Sequence, residues 1–187
     1  MTNQLPVVSV EARALGEKAP FGGSVRFDVT PGKCVWLQGA SGRGKTTIAM
    51  YTAGLVSESV LRHLQLELRV TWDESIVNSE RIGVLFQQTT LLDELTLAGN
   101  LQLALMHAKN TSNNDTTEDE SANFGSYLTM KRLLETVGLD WFRDAHKRPT
   151  QLSGGMARRA ALAVLLAQRK RVIVLDGKVN MKPNCTC

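Results

Sequence analysis

Residues Gly39-Ala40-Ser41-Gly42-Arg43-Gly44-Lys45-Thr46 fit the pattern G-x-x-x-x-G-K-[ST] at every fixed position. That set of residues suits the binding of linked phosphates. Glycines let the backbone wrap closely around an anion and turn several N–H groups inward. A helix beginning near Lys45 would aim the positive end of its dipole at the same charge. The Lys45 ammonium can reach β- and γ-phosphates, and the Thr46 hydroxyl can bind Mg2+. The competing reading is a chance glycine turn. Placement between an expected strand and an expected helix argues against it.

Two more segments carry possible chemistry. Leu152-Ser153-Gly154-Gly155-Met156 opens an expected helix, with Ser153 able to cap it and two glycines baring N–H groups at its positive end. Taken alone, it also reads as an ordinary Ser-capped helix in which the glycine pair costs helix stability. Val172-Ile173-Val174-Leu175-Asp176 is four apolar residues and an acid. An aspartate at the end of a buried strand can hold Mg2+ through water, although apolar strands ending in an acid are common.

The surrounding elements must position these groups. Ser24–Val29 alternates as a half-buried strand, and Thr30-Pro31-Gly32 ends it as a turn. Cys34–Leu37 is an apolar run of strand length leading into the glycine-rich loop, and a helix is expected from Thr47 to Leu55. Leu64–Trp72 reads as a strand with Leu64, Leu66, Leu68, Val70 and Trp72 on one face, and Arg81–Phe86 as a buried strand. Thr96–Ala108 has helical spacing, with Leu97, Leu101, Ala104 and Leu105 as its stripe. Further helices are expected over Ser126–Val137, ending at Gly138, and over Ser153–Gln168. The last strand is Val172–Leu175. Strands alternating with helices indicate an α/β domain with a largely parallel sheet.

Lys109–Asn123 has almost nothing to bury and carries Asp115, Glu118, Asp119 and Glu120. It reads as a disordered surface insertion.

Composition sets the remaining bounds. The chain has 187 residues, 43% hydrophobic and 21% charged, with net charge +4, which fits one globular domain. No apolar run approaches the roughly 18 residues that cross a bilayer, and no secretory signal is read at the N-terminus. Cys34, Cys185 and Cys187 give no disulfide framework, so a reducing compartment is expected. Lys147-Arg148, Arg158-Arg159 and Arg169–Arg171 read as solvated faces and loop ends. No aromatics interleave with them, so no nucleic-acid partner is expected.

Leu152–Met156 resembles the LSGGQ signature of ABC-type ATPases, with Met156 in the place of Gln. Arg158-Arg159-Ala160-Ala161-Leu162-Ala163 resembles the helix that follows it. Val84-Leu85-Phe86-Gln87, followed by Leu91, Leu92 and Leu95-Thr96, resembles that family's Q-loop, and Val172–Asp176 its Walker B strand. The resemblance covers about residues 5 to 177. It implies a phosphate-loop NTPase core, mostly parallel, with antiparallel N-terminal strands and a helical subdomain over about 91–168.

The resemblance further implies an ATP-binding subunit of a transporter. Two such domains would sandwich two ATP molecules beside transmembrane subunits, at the cytoplasmic face of a membrane. Phosphates would fall to Gly39, Ala40, Ser41, Gly42, Arg43, Gly44, Lys45, Thr46 and Thr47. Mg2+ would fall to Thr46, Gln87 and Asp176, with Gln87 also meeting the attacking water. Leu152, Ser153, Gly154, Gly155 and Met156 would meet the partner's ATP. The nearest aromatic for the adenine is Phe21, for which core packing is an equal reading.

The pattern then breaks. ABC ATPases place a catalytic Glu directly after the Walker B Asp, and here stands Gly177 followed by Lys178. None of the three histidines, His63, His107 and His146, lies beyond that point, so none is the family's switch His. The expectation is a domain spanning 1–177, with 178–187 a non-family tail and hydrolysis doubtful. Two rival readings follow: a subunit that binds ATP without turning it over, and a soluble ABC ATPase unconnected with transport. A GTPase is disfavoured, because no N-K-x-D motif follows the phosphate loop.

Overall fold

Val8-Ser9-Val10-Glu11-Ala12-Arg13-Ala14 alternates apolar and polar side chains, and it forms the central strand β1 (Val8–Ala14) of an antiparallel sheet. The structure is a computed structural model that describes residues 5–76, 82–86, 90–111 and 120–177. The chain divides into two compact units, Met1–Arg81 and Ile82–Cys187.

In the first unit β1 pairs on one side with β2 (Ser24–Val29) and on the other with β3 (Leu66–Trp72), both antiparallel. Val8, Val10 and Ala12 point inward and are almost fully buried. The register sets Val10 against Val70 and Ala12 against Leu68, so the apolar positions of both strands fall on one face. Helix α1 (Lys45–Thr52) buries Ile48 and Met50, and α2 (Glu58–His63) buries Leu61.

The second unit begins with β4 (Ile82–Leu85), which pairs in parallel with β5 (Val172–Leu175), Ile82 opposite Val172. Between them run α3 (Leu97–Thr111), α4 (Glu120–Thr136), the short α5 (Trp141–Asp144), one 3-10 turn (Pro149–Gln151) and α6 (Gly154–Ala167). The stripe Leu97, Leu101, Ala104 and Leu105 packs with Leu134, Leu139 and Trp141 and with Ala160, Ala163 and Ala167 of α6. Helix α6 is buried on a second side as well, where Ala161 and Leu165 meet Leu85 of β4. Gly83 permits that approach: a Cβ there would lie 2.5 Å from Leu165 Cδ1.

The mixed α/β class holds, with a parallel sheet, antiparallel strands near the N-terminus and a helical segment. Several expectations need correction. Cys34–Leu37 forms no strand: residues 33–40 have no regular structure, and Trp36 and Cys34 are exposed. An apolar run becomes a strand only where a neighbour accepts its hydrogen bonds, and among the described residues none pairs with it. Leu64 is not part of β3 but caps α2. The helix expected from Ser126 begins at Glu120, and α3 runs on to Thr111, so the stretch read as an insertion is helical at both margins. Extending a formed helix by a few residues costs little compared with nucleating one. Residues 112–119 lie outside the described residues, as does 178–187. Among the described residues no helix is long and apolar enough to cross a membrane.

Candidate functional site

The phosphate-loop residues sit where chain and helix meet. Helix α1 starts at Lys45, and its cap is Gly44 at φ 73°. Gly42 also has a left-handed φ, 78°, a region that residues with a Cβ enter at a cost. Among the described residues no side-chain hydrogen bond caps α1, and no acid lies in its first turn, so its own first turn does not offset its positive end. Lys45 lies across the loop, its Nζ donating to Gly39 O at 2.8 Å and Ala40 O at 2.7 Å. The ammonium is therefore held over the backbone that would cradle an anion.

Residues 20 and 21 pack against this turn. A Cβ on Gly44 would stand 2.8 Å from Pro20 Cγ and 3.6 Å from Phe21 Cδ1. Arg43 Nη1 donates to Pro20 O at 3.4 Å. The aromatic singled out for a nucleotide base thus lies beside the loop, half-buried.

The second helix N-terminus has a different cap. Ser153 precedes α6 in extended conformation, and its Oγ accepts the Met156 N–H at 3.3 Å. A hydroxyl that accepts in this way keeps its own proton to donate. Gly154 and Gly155 are exposed, and a Cβ at either would meet nothing within 4 Å. Arg159 braces the turn: Nη1 donates to Gly138 O at 2.7 Å and Nε to Gly155 O at 3.4 Å.

Asp176 follows β5. Its N–H donates to Leu85 O at 3.0 Å, which carries the parallel pairing one residue past the strand. Its carbonyl accepts from Arg158 Nη2 at 3.2 Å. Gly177 turns sharply away at φ 102° and carries no carboxylate. Asp176 in the second unit carries a carboxylate and Thr46 in the first a hydroxyl, each a hard oxygen donor of the kind Mg2+ takes. Among the described residues no group of three or more His, Cys, Asp or Glu could hold a metal unaided. Gln87 lies outside the described residues.

Some residues that shape this region carry little signal in the sequence. Arg158 and Arg159 read as a solvated pair, yet Arg158 is half-buried and its Nε is enclosed with no hydrogen-bond partner among the described residues. Asp144 is fully buried. It accepts from Arg143 Nε at 3.2 Å and Nη2 at 3.1 Å, from Lys147 Nζ at 2.7 Å and from the Asp140 N–H at 3.0 Å. Hydrogen bonds from the Arg143 guanidinium, then from Lys147 and the Asp140 N–H, hold its carboxyl well below the usual range against the opposing effect of burial. Lys147 and Arg143 therefore serve a buried acid. The same corner supports α3, whose Leu97 and Ala98 N–H groups donate to Lys147 O and Ala145 O, both at 2.9 Å.

A family model described as ABC transporter matches residues 23–180. The chain belongs to the ABC transporter family. All three glycine- or aspartate-bearing segments, 39–46, 152–156 and 172–176, lie inside the ABC match.

Curated ABC relatives are similar over most of this chain. The sulfate/thiosulfate import ATP-binding protein CysA of Pseudomonas syringae is 33% identical over 157 residues, covering 82% of this chain and 44% of its own length. Proteins of the same name from Bordetella pertussis, at 33% over 174 residues, and Cucumis sativus, at 34% over 177, each cover 90% of this chain and 46% of their own. The chain thus spans a little under half the length of these relatives. A solved structure described as an ABC transporter in an inward-facing conformation aligns with TM-score 0.58 at 18% identity. It covers 91% of this chain and 60% of that one, which supports the fold.

Proposed function

We propose that this chain is the ATP-binding part of an ABC transporter and couples ATP binding and hydrolysis to movement of a solute across a membrane. The observation that carries the reading is a pair of glycine-bearing helix N-termini in one chain, at α1 and at α6, neither with an acid in its first turn. Each is an anion cradle of backbone N–H groups. In this reading residues 39–47 bind the phosphates of ATP. Ser153, Gly154 and Gly155 meet the γ-phosphate of ATP held by a second ABC domain. Thr46, Gln87 and Asp176 serve Mg2+, and Phe21 stacks on adenine. The partners are that second domain and transmembrane subunits, at the cytoplasmic face of a membrane. The curated relatives are named for sulfate or thiosulfate import, which makes those anions the first cargo to test.

Binding of ATP to the purified chain, with and without Mg2+, tests the core of this proposal. Lys45→Ala is expected to weaken ATP binding at least tenfold while leaving the fold intact, since a charged contact to phosphate is lost. An equally tight, demonstrably folded Lys45→Ala variant would refute it.

A second reading is favoured by one residue. Gly177 stands where ABC ATPases carry a carboxylate to polarise the attacking water. A chain that binds Mg-ATP but turns it over slowly fits that change. Steady-state phosphate release at saturating Mg-ATP separates the two: rapid release by the unmodified chain rules out the slow reading.

A further inference from the structure

We propose that Arg158 is a positioning residue, which ties the end of β5, and with it the Asp176 carboxylate, to the helix that begins at Ser153. The inference rests on the ATP- and Mg2+-binding role proposed above and adds a residue to which the motifs assign no part.

The geometry is specific. Asp176 is held through its backbone at two points, by Leu85 O on its N–H and by Arg158 Nη2 on its carbonyl. The next residue, Gly177, has the backbone freedom of a glycine and sits at φ 102°, so it adds little stiffness to what precedes it. The Arg158 contact spans 18 positions in sequence and crosses from α6 to the strand end. It is made at a cost, because Arg158 Nε is enclosed with no hydrogen-bond partner among the described residues. A solvated arginine would not be held so.

The consequence is a link between two places with different proposed duties. Ser153 and the glycines beside it would meet the partner's nucleotide, whereas Asp176 would serve the Mg2+ of this chain's own. Arg158 lies five residues after Ser153 on the same helix, so a displacement of that helix would be felt at the carbonyl of Asp176. The side chain contributes directed N–H groups at a fixed reach; Lys keeps the charge and a donor without the planar fork, and Gln keeps a donor without the charge.

Two measurements test this on the full chain. The first is the gain in ATP affinity on adding Mg2+, for the unmodified protein, Arg158→Met, Arg158→Lys and Arg158→Gln. Arg158→Met is expected to lose most of that gain while its affinity in EDTA stays unchanged. At least one conservative variant should restore part of it. An undiminished gain in a folded Arg158→Met overturns the proposal.

The second is amide exchange by NMR, which needs neither nucleotide nor metal. The Asp176 N–H should exchange about tenfold faster in Arg158→Met, as expected for loss of one hydrogen bond from a charged donor, with Gly83 and Val174 unchanged. Equal rates at Asp176, or a uniform rise along β4 and β5, overturn it. Should Arg158→Met fail to fold, Arg158→Gln and Arg158→Lys carry both measurements under the same criteria. If the unmodified chain shows no Mg2+-dependent ATP binding, the functional reading fails, and the exchange result alone decides whether Arg158 holds the strand end.

Discussion

Asn100 holds Leu92 the way one strand holds another: its Oδ1 accepts the Leu92 N–H at 2.9 Å and its Nδ2 donates to the Leu92 carbonyl at 3.1 Å. The same Nδ2 also lies within reach of the Thr96 carbonyl at 3.0 Å and the Leu95 carbonyl at 3.4 Å. One buried side chain thereby shapes the whole turn that leads into α3. Asn100→Ala is expected to destabilise the chain by about 2 kcal/mol, the cost of stranding these backbone groups. Asn100→Asp should cost at least as much at neutral pH, because a carboxylate would face carbonyl oxygens. Urea titrations of the three proteins check both, and equal midpoints would remove Asn100 from this role.

Asp144 gives the stability a dependence on acid. Its folded-state pKa lies below the ordinary 3.8, chiefly through the Arg143 guanidinium. A group depressed on folding stabilises fully above its unfolded pKa and progressively less as pH falls towards its folded one. The contribution is therefore complete above about pH 5 and fades below about pH 4. Asp144→Asn is expected to lower stability by about 2 kcal/mol at neutral pH and to flatten the acid side of the profile. Parallel slopes below pH 4 would contradict this assignment.

Gly44→Ala joins two penalties. An alanine at φ 73° strains the backbone, and its Cβ would meet Pro20 Cγ at 2.8 Å. Together these are expected to cost about 2 to 4 kcal/mol. ATP affinity should fall as well, since Phe21 and the loop N–H groups shift with the turn. Gly42→Ala, at φ 78° with open space around it, isolates the backbone part and should cost about 1 to 2 kcal/mol. Thermal melts of the pair separate strain from collision.

Gly177→Glu places a carboxylate on a backbone unsuited to a side chain. At φ 102° a side chain costs about 1 to 2 kcal/mol. A melting temperature lower by about 2 to 8 °C is expected for a chain of this size. An unchanged or higher value would show that the backbone relaxes there freely.

The sequence was legible where the physics is local. The phosphate loop needs only its own glycines and lysine, and Ser153 needs only the N–H of Met156 three residues on. The stripe of α3 shows because burial repeats with the helix turn. Strand β1 is weaker to the eye, since Ala12 and Ala14 give its alternation little apolar contrast. Cys34–Leu37 misleads for the opposite reason: its residues favour a strand, but strand formation depends on a neighbour that the segment itself cannot supply. Asn100, Asp144 and Arg158 look like surface polar residues until tertiary packing encloses them, and no spacing rule reports that. The three motif segments show in the sequence itself, while the tertiary contacts of Asn100, Asp144 and Arg158 do not.

Helix α6 is gripped from two directions, by Leu97, Leu101 and Leu134 on one flank and by Leu85 on another. Its buried positions are alanine apart from Leu165, which lets neighbours press close. The rod cannot lean away from one flank without opening a void there or colliding on the other. A shift of the helix at Ser153 is therefore passed to β4 through Leu85, Ala161 and Leu165.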